Sequence, residues 1–166
     1  MSRPPRSPRA HLFSWAVVRR FLFLGTLESL GVVAMFFWKV HSAHLGFADF
    51  TAATPAYREA LTMTQAGIVV GQFFASFAVR TDRQSVFREG VFSNRGLLGA
   101  GLVSLGFIAA LSYVPTMQAV FHTAALSLVD WVFVVSCGVV VLAGDEARKA
   151  FNRRRAARRA ALGREA

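Results

Sequence analysis

One carboxylate, Glu28, stands inside an otherwise apolar run from Phe21 to Trp38, and that setting limits what it can be. An ionisable group at bilayer depth costs about 2.5 kcal/mol or more, so it faces a bundle interior, where it titrates, pairs or serves transport. It can equally stay protonated, or bond to Thr26, Ser29 or a backbone group on another helix, and so hold the helices in register. A second polar set lies on the run from Glu59 to Val79. There Gln65, Val69, Gln72 and Ser76 recur at helical spacing and put two amides and a hydroxyl on one stripe. Such a stripe in hydrocarbon must face protein, water or an ion. Gln72 is a candidate neutral oxygen on a cation route, but hard cations need several oxygens, and helix-to-helix hydrogen bonding is the plainer role. Gly67, Gly71 and Ala75 form a neighbouring stripe of small residues, the spacing that lets two helices approach closely and predicts a docking face for a partner helix.

The remaining reactive side chains assemble into no catalytic set. His41, His44 and Asp49 share a polar segment, yet i, i+3 histidines fix no third ligand, so no metal site is assigned. Cys137 is alone in an apolar run and reads as a small packing residue. Ser104 and Ser112 lack a base at useful spacing. Asp145 and Glu146 stand one turn before Arg148 and Lys149, the spacing of local ion pairs. No catalytic residue and no cofactor follow from these patterns.

The elements that position these groups are four apolar runs, Phe21 to Trp38, Glu59 to Val79, Leu97 to Val114 and Leu128 to Gly144. A hydrocarbon core of about 30 Å needs about 20 helical residues, fewer where polar flanks snorkel, so each run can span a bilayer. Arginine and lysine crowd before the first run, between the second and third, and after the fourth. Only Lys39 and Arg58 of the 19 basic residues fall on the other side. The positive-inside tendency then puts both termini in the cytoplasm of a cell-membrane protein and requires an even number of spans. With 54% hydrophobic and 17% charged residues, the chain is too apolar for an ordinary soluble domain. Its net charge of +10 borders the spans without interleaved aromatics, which points to anionic lipid headgroups and away from nucleic acid.

Three parts follow: a basic cytoplasmic lead over residues 1–20, a four-helix transmembrane domain over 21–146, and a basic cytoplasmic tail over 147–166. Pro4, Pro5 and Pro8 extend the lead. Thr54-Pro55 starts the second helix, Asn94 can cap the third, Pro115 ends it after Tyr113, and Ser127 or Asp130 begins the fourth beside the interfacial Trp131. The predicted fold is all-α, an integral membrane four-helix bundle.

From Ala56 to Arg155 the chain resembles the last three membrane helices of P-type cation-transporting ATPases. The resemblance is carried by TMTQAGIVVGQFFASFAVRTDRQSVF from Thr62, VFSNRGLL from Val91, SYVP from Ser112 with the following MQAVF, and DEARKAF from Asp145. The lead RPPRS and the run FLFLGTLESLGVVAMFF are similar to the preceding helix of the same pumps, so nearly the whole chain is covered. The resemblance implies a C-terminal membrane subdomain that buttresses the ion-carrying helices. It also implies no ATP hydrolysis by these 166 residues, which hold neither a DKTGT phosphorylation motif nor nucleotide-binding and actuator domains. The second run resembles the eighth pump helix, where calcium pumps carry a ligand glutamate. Gln72 stands at that point without the charge.

The function expected is therefore scaffolding or completion of a cation-transport assembly, through the remaining pump core or by self-association. The alternative is a small proton-coupled four-helix antiporter that uses Glu28 from two copies. Loop lengths, the one-sided basic bias and the pump motifs weigh against it.

Overall fold

A computed structural model describes residues 15–80, 85–86 and 94–162. The N-terminal arginines and prolines, most of the segment between the second and third runs, and Arg164 lie outside the described residues. Those described form five α-helices and one 3-10 turn, with no strand among them: α1 Trp15–Ser42, a 3-10 turn Phe47–Asp49, α2 Pro55–Ala78, α3 Arg95–Tyr113, α4 Pro115–Phe121 and α5 Leu128–Leu162. Four segments are long and apolar enough to cross a membrane, Val17–Ser42, Pro55–Ala78, Arg95–Tyr113 and Leu128–Arg158.

Local chemistry sets the helix ends. Pro55 sits in the first turn of α2, where its missing N–H costs nothing. The Asn94 side chain accepts from the Leu97 N–H at 3.0 Å and caps α3. Ahead of α5, the Ser127 N–H donates to Asp130 Oδ2 at 2.9 Å while the Asp130 N–H donates to Ser127 Oγ at 3.2 Å, a reciprocal capping box. Pro115 ends α3 as expected, but it also opens the short helix α4, because proline is suited to a first helical turn. That helix closes at His122, whose φ of 54° is left-handed. The residues read as a separate basic tail continue the helix of the fourth span without a break as far as Leu162. No proline or glycine interrupts the sequence between Gly144 and Gly163.

The most buried span, α2, packs on α1, α3 and α5, and α1 also meets α5. The central core joins Val32 and Met35 of α1, Met63, Ala66 and Val70 of α2, Ile108 and Leu111 of α3, and Val134 and Cys137 of α5. Outside it, Leu30, Phe37, Val103, Phe107, Val132 and Val140 are exposed. An apolar surface of that extent is unstable in water and suits acyl chains.

Candidate functional site

Two layers of buried charge bracket the bundle. In the first, Ala78 at the end of α2 offers a carbonyl with no intrahelical partner, and two cations donate to it: Arg20 Nη2 at 2.5 Å and Lys149 Nζ at 3.1 Å. Asp145 supplies a shared counter-charge. Its carboxylate lies 2.8 Å from Lys149, 2.5 Å from Arg148 and 3.6 Å from Arg20. Glu146 adds a 3.2 Å contact to Lys149 and accepts from the Val86 N–H at 3.1 Å. The local pairs expected for Asp145 and Glu146 form, and Arg20, distant in sequence, joins them. Both Asp145 and Lys149 are wholly buried, so each depends on the other: an unpaired charge there is far costlier than the pair.

The second layer lies at the other end. Lys39 Nζ bridges Asp130 at 2.9 Å and Glu59 at 3.0 Å, which ties α1 to α5 and α2. Beside it, Arg58 donates to the carbonyls of Gln118, His122 and Thr123, at 3.3, 3.3 and 2.5 Å. Thr62 Oγ1 donates to the Arg58 carbonyl and accepts from the Ala124 N–H. Tyr113 donates to the Leu126 carbonyl at 2.8 Å and accepts from Trp131 Nε1 at 2.7 Å, the amphipathic ring arrangement of a headgroup boundary. Lys39 and Arg58, the two cations set apart by the charge pattern, are thus the pins of this end.

The two layers share one spacing. Arg20 to Lys39 on α1, Glu59 to Ala78 on α2, and Asp130 to Lys149 on α5 are each 19 residues apart, or about 28 Å at about 1.5 Å per residue. That length matches a hydrocarbon core of about 30 Å.

Between the layers lies one polar pair. Glu28 is 7% exposed, and both its carboxyl oxygens lie at hydrogen-bond distance from Gln72 Nε2, 3.1 and 3.0 Å. Its partner is a side chain on α2, neither Thr26 or Ser29 of its own helix nor a backbone group of another. Gly71 allows the approach: a Cβ there would stand 2.8 Å from Glu28 Oε1. Gly67 faces Met35 and Val32 of α1, and partly buried Ala75 packs with Leu24, Ala78 and Val141. The small-residue stripe is therefore covered by α1 and the inner core. The expectation that it presents an open docking face is corrected, because α1 fills the space that those missing side chains leave.

The outer side of α2 carries the amides. Gln65 and Ile68 are exposed, as is the Gln72 side chain beyond its bond to Glu28. An open cleft of about 320 Å³ runs between α2 and α3, lined by Ile68, Gln72, Phe73, Ser76, Gly101 and Ser104. The Ser76 hydroxyl donates to the Phe73 carbonyl at 2.7 Å, and Ser104 donates to the Ala100 carbonyl at 3.2 Å. Of the sequence candidates, Glu28 and Gln72 come together, while Gln65 stands apart on the same outer face. Among the described residues no three His, Cys, Asp or Glu side chains gather as a metal site. The His41 and His44 rings are 6.5 Å apart, and Asp49 accepts from the Gly46 N–H.

Known proteins resemble this chain in sequence. The family model described as "Cation transporting ATPase, C-terminus" matches residues 1–151. The calcium-transporting ATPase of Bacillus subtilis is 28% identical over 152 residues, 87% of this chain and 15% of that protein. The probable cation-transporting ATPase F of Mycobacterium bovis is 29% identical over 149 residues, 88% of this chain and 15% of its own length. Calcium-transporting ATPase 1 of Schizosaccharomyces pombe is 27% identical over 158 residues, 93% of this chain and 16% of that protein. The chain thus spans about 15% of the length of these relatives. A family match over residues 1–151, on a bundle of four apolar helices, makes the chain a member of the cation-transporting ATPase C-terminal family.

Proposed function

We propose that this chain is the C-terminal membrane subdomain of a P-type cation pump, a four-helix scaffold that docks against the pump's ion-carrying helices and performs no ATP hydrolysis itself. Both termini lie in the cytoplasm of a cell-membrane protein, and the basic residues flanking the spans meet anionic headgroups. Phosphorylation and nucleotide binding belong to other parts of the pump.

One observation carries the reading. The helix buried most deeply in the bundle, α2, still exposes Gln65, Ile68 and Gln72 on one outward stripe beside an open cleft. Acyl chains offer an amide no hydrogen bond, so the stripe is best satisfied by further protein helices. The bundle's own small-residue stripe is already used by α1, which leaves this face for a partner.

The test is reconstitution. A P-type cation pump lacking its last four membrane helices is expressed with and without this chain, and ATP-driven cation uptake into membrane vesicles is measured. Uptake that appears only with the chain supports the scaffold. Uptake that is absent in both, with equal amounts of each protein in the membrane, contradicts it.

A further inference from the structure

Every buried acid in the two charge layers has a cation. Asp130 has Lys39, and Asp145 has Arg20, Arg148 and Lys149. Partly exposed Glu59 and Glu146 also have lysine partners, Lys39 and Lys149. Glu28 differs. It lies between the layers, about 12 Å from Arg20 and about 16 Å from Lys39 along α1, and no ion pair to it is present among the described residues. The groups facing it are the neutral Gln72 amide and the Gly71 backbone of α2, with the Cys137 thiol of α5 nearby.

A carboxylate without a counter-charge at that depth is unfavourable, whereas a neutral acid is a hydrogen-bonding group that one amide can satisfy. We propose that Glu28 is a proton-binding site at membrane depth, held as the neutral acid near neutral pH and hydrogen-bonded to Gln72. This assignment does not depend on the scaffold reading.

The geometry gives the site a second property. The amide end of Gln72 sits almost equally far from both carboxyl oxygens, and the two ends of an amide have the same shape. The NH2 end donates to an ionised carboxylate. The carbonyl end, brought round by a half-turn of the amide, accepts the O–H of the protonated acid. Proton binding therefore adds an O–H that only the carbonyl end of the amide can accept, and where that end turns to Glu28 the NH2 end is offered to the cleft between α2 and α3, which Gln72 also lines.

The test uses the purified full chain in lipid nanodiscs near neutral pH. Infrared difference spectra of wild type against Glu28→Gln are expected to show loss of one un-ionised carboxylic-acid C=O stretch. In Gln72→Leu that band should persist and move to higher frequency as its hydrogen bond is lost. Loss of carboxylate stretches in place of the acid band overturns the proposal, and a band unmoved by Gln72→Leu overturns the amide's part in it. A measurement on the wild type alone guards against a misfolded variant. A lipid-soluble carbodiimide, which adds to protonated carboxyls in hydrophobic surroundings, should modify Glu28 in the native membrane by mass spectrometry. An unmodified Glu28 at saturating reagent contradicts the assignment.

Discussion

Alanine at Gly71 and alanine at Gly25 should have opposite effects, though both glycines lie inside membrane helices. At Gly71 the added Cβ would stand 2.8 Å from Glu28 Oε1, 3.0 Å from Cδ and 3.1 Å from Cγ. Comfortable separations begin near ~3.5 Å, so the carboxyl must retreat by more than about 0.5 Å. It is not free to swing, because both oxygens are tied to Gln72 at 3.0 and 3.1 Å. Overpacking of this kind costs about 1–3 kcal/mol, while the helix itself gains about 0.5–1 kcal/mol when alanine replaces glycine. The expected net loss is about 1–2 kcal/mol. At Gly25 nothing lies within 4 Å of the new Cβ, so only the gain remains. The two variants should therefore differ by about 2 kcal/mol. Unfolding of the purified chain in mixed micelles with increasing SDS, followed by circular dichroism, reads that difference directly. Equal midpoints for Gly71→Ala and Gly25→Ala would refute the close approach of α1 to α2.

Asp145→Asn should lose up to about 3–5 kcal/mol in the same assay, since Arg20 and Lys149 both lose the Asp145 carboxylate and Lys149 keeps Glu146 at 3.2 Å. Arg58→Leu should leave the spans inserted but raise amide hydrogen exchange over residues 115–126, because three carbonyls around the end of α4 lose their donor; unchanged exchange there would count against Arg58 as the pin. Reporter fusions at Ala166 should be active in the cytoplasm, and those within His41 to Thr54 on the opposite side; a C-terminus on the outer face would defeat the four-span orientation.

What was legible in the sequence was mostly local. Pro55, Asn94, Pro115 and the Ser127–Asp130 pair act on neighbouring backbone, so the helix ends could be read without the fold. Helix α4 is hidden because proline ends one helix and starts another equally well. The charge layers were half visible. The 19-residue spacing is present in the sequence on three helices, but which cation meets which carbonyl depends on packing that brings Arg20 and Lys149 to Ala78. The pairing of Glu28 with Gln72 left a usable signal too. Counted from the layer holding Arg20 and Ala78, they lie eight and six residues inward on antiparallel helices, nearly the same depth. Periodicity placed the glycine stripe correctly on one face of α2, yet it could not tell an internal neighbour from an external one. Met35 and Glu28 of α1 supply the answer.

The central claim is that the outward stripe of α2 meets other helices of a cation pump. A photo-crosslinking side chain at Ile68, 46% exposed on that stripe, tests it, with the same group at Val103, 73% exposed on α3, for comparison. Crosslinking is done in native membranes holding the pump's ion-carrying helices, on this polypeptide or another, and the adducts are identified by mass spectrometry. The account predicts that Ile68 captures those helices while Val103 captures lipid. Lipid adducts alone at both positions would contradict it.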